Sequence, residues 1–402
     1  MVLKISRLAP LALAVAALGA QADGGNDPSF SFSGFATVGV VSTDTNDAQY
    51  VIAGQPHGAT KSKASGEVDT KLGVQGTAKL NSMFSGTVQL LSKQDGNGSF
   101  TPEVEWAFAK AQILPSLSVR VGRMGSPLFA VSDFRDVGYA NLWLRPPQDV
   151  YGQVPISHFD GADVIYQMPV GSTTLSAQVF GGKSSAVFEH TDLHFKNQVG
   201  FNLTAEFDNG LTLRLGHVQG KLTVDSATLG QLVTALRGTP FASVGDEIDA
   251  TNKKASFDGI GASYDQNNIV ASFEYTKRRT DSYVADTTGW YASLGYRFGK
   301  VAPYVIVSQV KQDSSNVDNN IPTGISAGLT TLKLTVDGTL ASQALNQKTT
   351  GVGVRWDFYR SMALKAQYES VRPDGPGTFT QPAATFGTGR VNVYSVAVDM
   401  VF

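Results

Sequence analysis

From residue 30 to the C-terminus the chain repeats one local pattern: apolar and polar residues alternate over runs of about ten residues, and turn residues separate the runs. In the last run Tyr394, Val396, Val398, Met400 and Phe402 share a face with Asn392, while Ser395, Ala397 and Asp399 take the other. Lys71 to Leu80 behaves the same way, with Leu72, Val74, Ala78 and Leu80 against Lys71, Gln75, Thr77 and Lys79. Gly351 to Phe358 sets Val352, Val354, Trp356 and Phe358 against Arg355 and Asp357. A period of two is the signature of a strand with one apolar and one polar face. Beyond residue 22 no run of 18 apolar residues occurs, which excludes membrane-spanning helices. Two architectures remain: a sandwich whose polar faces meet water, or a barrel whose apolar faces meet lipid and whose polar faces line a wet lumen.

Strand number and loop sorting decide between them. Sixteen candidate strands fall at about 30–42, 67–79, 84–94, 103–112, 116–125, 160–168, 173–183, 196–207, 211–221, 255–265, 268–278, 288–298, 302–312, 348–358, 362–371 and 390–402. A tilted strand needs about ten residues to cross the hydrocarbon. The even-numbered strands are followed by tight turns such as Asn81-Ser82-Met83, Pro169-Val170-Gly171, Asp208-Asn209-Gly210 and Gln266-Asn267. The odd-numbered strands lead into longer polar loops, among them 43–66, 126–159, 222–254 and 313–347. The expected fold is therefore all-β: a transmembrane antiparallel β-barrel of about sixteen strands, with short periplasmic turns and long extracellular loops. Within loop 5, residues 226–237 have helical spacing at 229, 232, 233 and 236, capped from Asp225 or Ser226. The apolar stretch 325–345 of loop 7 fits either a helix or a hairpin.

The N-terminus supplies an address. Lys4 and Arg7 precede an apolar run from Leu8 to Gly19, and Ala20-Gln21-Ala22 is a small-x-small cleavage site, so Met1–Ala22 reads as a removable secretory signal and 23–402 as the mature barrel. The apolar run is too short for a span, which needs about 20 residues. Composition agrees with a chain of many short strands: 42 Gly of 402 residues, 22 Phe, 13 Tyr, and only 16% charged residues. A net charge of −2 without any basic tract argues against nucleic-acid binding, and the absence of cysteine excludes disulfides and thiolate zinc sites.

Other chemistry finds little support. Gly182-Lys183-Ser184 looks like the end of a P-loop, but Ala177 stands where its first Gly belongs. His190 and His194 are four apart, but residue 191 is Thr and not the Glu of a zinc-protease helix. No G-x-S-x-G elbow accompanies a Ser/His/Asp set. No cofactor or metal and no catalytic residue are expected.

Phe32-Ser33-Gly34-Phe35 opening the first strand, Val119-Arg120-Val121-Gly122-Arg123 ahead of a long third loop, and a terminal Phe402 after alternating apolar residues give the chain its likeness to a known group. Together with the signal segment and the sorted loops, the whole of 23–402 resembles the porins of Gram-negative outer membranes. That resemblance implies a sixteen-stranded barrel, commonly a homotrimer in outer-membrane lipid, with the third extracellular loop folded inward to narrow the pore. It also implies that Phe402 is the signal read by the outer-membrane assembly machinery.

Such a barrel leaves an aqueous channel for ions and small hydrophilic solutes. Loop 3, from Ser126 to Phe159, carries Asp133, Arg135, Asp136, Arg145 and Asp149 and is rich in aromatics, as a loop packed inside a barrel requires. Arg120 alternates inward, and with Arg123 it is expected to face those carboxylates across the constriction. Lys71, Glu105, Arg214, Arg297 and Arg355 are expected on the lumen wall, along with Lys79, Glu274, Asp357, Lys365, Glu369 and Asp399. Both signs of charge are present, and the loop 3 acids lean the channel slightly toward cations. Trp106, Phe108, Trp290, Phe298, Tyr304, Trp356 and Tyr394, near strand ends, are expected in the interfacial girdles. The rival readings are a substrate-selective channel for sugars or anionic nutrients, and a barrel that serves as an adhesin or enzyme.

Overall fold

The computed structural model describes residues 28–402 apart from Glu189, His190, Thr385 and Thr388. The signal segment Met1–Ala22 and His190 lie outside the described residues.

Sixteen strands close into one antiparallel barrel. They are β1 Ser29–Thr43, β2 Lys71–Lys79, β3 Phe84–Lys93, β4 Glu103–Leu114, β5 Leu117–Gly125, β6 His158–Val170, β7 Thr173–Phe188 and β8 Thr191–Phe207. The second half comprises β9 Leu211–Asp225, β10 Lys253–Gln266, β11 Ile269–Thr280, β12 Asp286–Tyr296, β13 Val301–Ser314, β14 Asn346–Tyr359, β15 Met362–Asp374 and β16 Val391–Val401. Each strand pairs with its sequence neighbours, and β1 pairs with β16 in a register that sets Val38 opposite Val398. Phe402 and Gly34 exchange backbone hydrogen bonds of 3.0 and 2.7 Å, which completes the closure. Closure matters because an open edge would expose unpaired backbone groups to lipid.

Alternation sorts the side chains as the period-two pattern requires. On β16, Tyr394 and Val396 are each 51% exposed on the outer face, while Ser395 and Asp399 are buried inside. The tight turns use residues that tolerate the left-handed region: Asn267 and Asn268 have φ of 54° and 66°, which suits a two-residue hairpin. Trp290, Phe298, Trp356 and Tyr394 fall on the outer face. Tyr304 does not join that girdle: it is 3% exposed and its hydroxyl meets Gln367 inside the barrel at 2.7 Å. Phe108 also turns inward, under the guanidinium of Arg120. Being near a strand end does not decide the face of a residue; parity does.

Several strand boundaries differ from the sequence reading. β2 starts at Lys71 and not at 67, because Asp69 leaves the ladder to bind a loop 3 arginine. The hairpin β7–β8 runs to Phe188 and resumes at Thr191, so no long loop forms there, and pairing continues through Ala186↔Leu193 and Phe188↔Thr191. Lys183 and Ser184 thus lie within a strand, and the strand–loop–helix context of a P-loop is missing.

The long loops cap one end. Loop 3 holds the short helix α1 Gln148–Tyr151, loop 5 contains α2 Ala227–Arg237 and α3 Ala242–Ile248, and the loop 7 stretch is a helix, α4 Ala327–Ser342. The Oγ of Ser326 accepts the amide of Leu329 at 3.2 Å and so caps that helix. Leu232, Leu236, Val244, Ile248 and Val336 bury one another between these helices. Two-residue strands at Gln49–Tyr50 and Phe379–Thr380 tie loop 1 to loop 8. Among the described residues no helix is long and apolar enough to cross a membrane.

Candidate pore constriction

Loop 3, residues 126–157, packs inside the barrel, where its irregular backbone has no ladder to join. Each buried amide and carbonyl then needs a partner from the wall. Arg214 on β9 donates to the carbonyls of Pro127 and Leu128 at 2.6 and 3.2 Å. Glu274 on β11 accepts the amide of Ala130 at 2.8 Å and the hydroxyl of Tyr151 at 2.9 Å. Arg355 on β14 donates to the carbonyls of Tyr139 and Asn141 at 2.6 and 2.9 Å. Lys365 on β15, fully buried, reaches the carbonyls of Gly138, Asn141 and Trp143 at 2.7, 2.7 and 2.9 Å, and Asp399 balances its charge at 2.9 Å. Apolar packing completes the seat: Phe129 stacks on Tyr151 at 4.6 Å and meets Phe257 edge-on at 5.1 Å. Arg214 and Arg355 therefore face the lumen as the sequence implied, but they hold the loop backbone in place of open water.

The strongest anchor is a loop 3 charge to which the sequence reading assigned no role of its own. Arg145, 2% exposed, binds Asp69 of loop 1 at 2.9 and 2.7 Å, Glu369 of β15 at 2.5 Å, the hydroxyl of Tyr50 at 3.2 Å and the hydroxyl of Ser395 at 2.5 Å. Burial works against its charge, but Asp69, Tyr50 and Glu369 offset this and hold the guanidinium protonated. Asp149, 1% exposed, is likewise an anchor and does not border the passage: Ser308 and Gln347 donate to it at 2.5 and 2.7 Å. Burial pushes its carboxyl up to about 6, against the pull of those hydrogen bonds.

The remaining charges stand between loop 3 and the opposite wall. Asp136 receives Lys71 at 3.2 Å and Lys93 at 3.0 Å, with Arg135 at 3.8 Å. Burial alone would raise the Asp136 carboxyl, but Lys93, Lys71 and Arg135 hold it far below the usual carboxylate range. Arg120 forks onto Asp163 of β6 and is flanked in register by Lys110 of β4. Asp133 is exposed. Arg123 falls in the register row of Val88 and Ala107, where Val88 is 51% exposed on the outer side, and it pairs with Asp160 at 2.8 Å. Glu105 accepts from the hydroxyl of Ser157 at 3.1 Å, and Arg297 pairs with Asp265 near the turn that follows β12. A cavity of about 490 Å³ bordered by Lys71, Lys93, Glu105, Arg135 and Asp136 opens toward loops 1 and 2.

The family model of Gram-negative porins matches residues 9–315. This chain belongs to the Gram-negative porin family. The porin is accordingly an outer-membrane protein, and its barrel forms a channel for passive diffusion of small solutes. Among curated proteins no sequence match was found. Solved structures share the fold at low identity. OmpF of Salmonella typhi in complex with daunomycin is 16% identical, covers 93% of this porin and 97% of its own chain, and gives a TM-score of 0.55. OmpT of Vibrio cholerae, solved in a trimer form, is 14% identical over 94% of this porin and 100% of that chain, with a TM-score of 0.54. An anion-selective porin from Comamonas acidovorans is 12% identical over 94% of this porin and 100% of that chain, with a TM-score of 0.52.

Two expectations test the seat of loop 3. Arg145→Ala leaves Asp69 and Glu369 buried without a counter-charge and should cost about 3–5 kcal/mol; urea unfolding of the detergent-folded barrel measures it, and a wild-type midpoint would refute the anchor. The folded porin takes up a proton at Asp149 before the unfolded chain does, because the carboxyl is raised. Wild type should therefore gain on Asp149→Asn by about 2–3 kcal/mol as pH falls from 7 to 4. A pH-independent difference between the two midpoints would contradict this.

Proposed function

We propose that loop 3 forms the constriction of this channel, with its acidic tip at Asp133 and Asp136 set against a basic wall of Lys71, Lys93, Lys110 and Arg120. The supporting observation is that the acids are outnumbered. Asp136 is shared by two lysines, Arg120 is matched by Asp163, and Lys110 and Lys79 make no ion pair among the described residues. Arg135 adds a further cation beside Asp136. The fixed charge of the passage is then positive, opposite to the lean read from the loop acids alone, and a positive eyelet favours anions. Solutes pass down their gradients between these charges, and the protein performs no covalent chemistry. Met1–Ala22 is removed on export, and Phe402 marks the barrel for assembly. Three copies associate in the membrane, as in the trimer form solved for OmpT.

Two measurements test this reading. In a planar bilayer with a KCl gradient, the reversal potential should show a chloride preference. Lys93→Glu combined with Lys110→Glu should carry it past neutrality to a potassium preference, whereas an unchanged reversal potential would reject the placement of the constriction. Deleting Phe402 removes the two backbone bonds to Gly34 together with the terminal ring. The folded barrel recovered from outer membranes should fall more than the yield of refolding in detergent does, and equal losses would reduce Phe402 to a stability element.

A further inference from the structure

β4 sorts its side chains against the pattern of a lipid-facing strand. Its small residues turn outward: Ala107 pairs with Val88, which is 51% exposed on the outer face, and Ala109 pairs with Gly86 on the same side. Its large residues, Trp106, Phe108 and Lys110, take three successive inward positions. Trp106 stands opposite Gln89, whose side-chain amide donates to Gln75 inside the barrel at 2.9 Å. Phe108 stands opposite Thr87, whose hydroxyl meets that of Thr77 at 3.0 Å. Lys110 lies in the row of Ser85 and Arg120. Other inward rings, such as Phe257, Tyr291 and Tyr304, are buried in the core under loop 3, whereas Phe108 is half-buried at the border of that core and Trp106, also half-buried, lies outside it. An apolar ring gains by leaving water, so rings left open on a wet wall are suited to meet an apolar surface that passes them.

The surroundings give this pair of rings a direction. A side chain built on Gly125 would meet the indole nitrogen of Trp106 at 3.2 Å and a carboxylate oxygen of Asp133 at 3.3 Å, so the indole stands beside the acidic tip of loop 3. The indole N–H has no acceptor among the described residues and is not sealed from the passage. The Arg120 guanidinium lies over Phe108, 5.3 Å from the ring centroid, and Asp163 matches its charge. Lys110 makes no ion pair among the described residues. Successive inward positions on a strand are about 7 Å apart. An anion is therefore repelled by Asp133 at the level of Trp106 and attracted by Lys110 two steps nearer the periplasm. A solute with one flat apolar end and one carboxylate fits that order, with its ring against Trp106 and Phe108 and its carboxylate toward Lys110.

We propose that Trp106, Phe108 and Lys110 form a binding step for aromatic carboxylates within the passage. The inference rests on the reading of that passage as a positively charged constriction beside loop 3. The test places the detergent-folded mature porin in a planar bilayer in KCl and adds benzoate as probe, with acetate and cyclohexanecarboxylate as comparators. Benzoate should lower the single-channel current saturably, with half-block at about a tenth of the concentration that acetate needs. Cyclohexanecarboxylate has the same charge and a similar size but no π face, and should fall between the two. Trp106→Leu should raise the half-block concentration of benzoate to that of cyclohexanecarboxylate, and Lys110→Gln should weaken the block by benzoate and acetate alike. Equal block by benzoate and acetate in a channel that still prefers chloride would overturn the proposal and leave the charge reading standing. A potassium preference of the wild type would reject the charge reading and the proposal with it. Benzoate block undiminished in both Trp106→Leu and Phe108→Leu would also overturn the assignment. Should either ring variant fail to fold, the ranking of the three carboxylates on the wild type is decisive.

Discussion

A chain segment placed inside a barrel must find hydrogen-bond partners for a backbone that no strand can pair. Loop 3 meets this condition through side chains that reach it from much of the far wall, from Arg214 on β9 to Lys365 on β15. The charged residues of the lumen are therefore divided between two tasks. Arg214, Arg355 and Lys365 satisfy carbonyls and Glu274 satisfies an amide, while Arg120 on the β2–β6 side pairs with Asp163.

This division shapes the electrostatics. Buried cations that donate to carbonyls are costly unless a carboxylate balances them, and Asp399 beside Lys365 does so. Arg145 extends the same logic into a network in which one guanidinium bridges two carboxylates from different parts of the chain and ties loop 1, loop 3, β15 and β16 together. The loop thus sits in a seat that is rigid by charge as well as by packing. Asp136 shares that rigidity, because it projects from the same loop and is clamped by Lys71 and Lys93.

The outer surface obeys a separate rule. Its apolar belt follows from alternation alone, as the exposed Leu213, Leu215, Val352 and Val396 show.

Much of the fold was legible before any coordinates, because strand alternation is a local property. All sixteen expected strands are present, and Lys71, Glu105, Arg214 and Arg355 each contact loop 3. The helix at Ala227–Arg237 was visible for the same local reason, while α4 was not, since its apolar residues fit two periods. The loop interior was far less legible. Asp149 reads as a constriction charge in sequence and is a buried anchor in the fold, and Arg145 carries no local mark of its role. Its partners Asp69 and Glu369 lie 76 and 224 residues away. The sequence by itself determined the strands, their two faces and the sorting of turns from loops, since each depends on neighbours a few residues apart. Only the tertiary structure decided which lumenal charges are consumed in seating loop 3 and which remain to meet a solute, because that choice is made by contacts across the closed barrel.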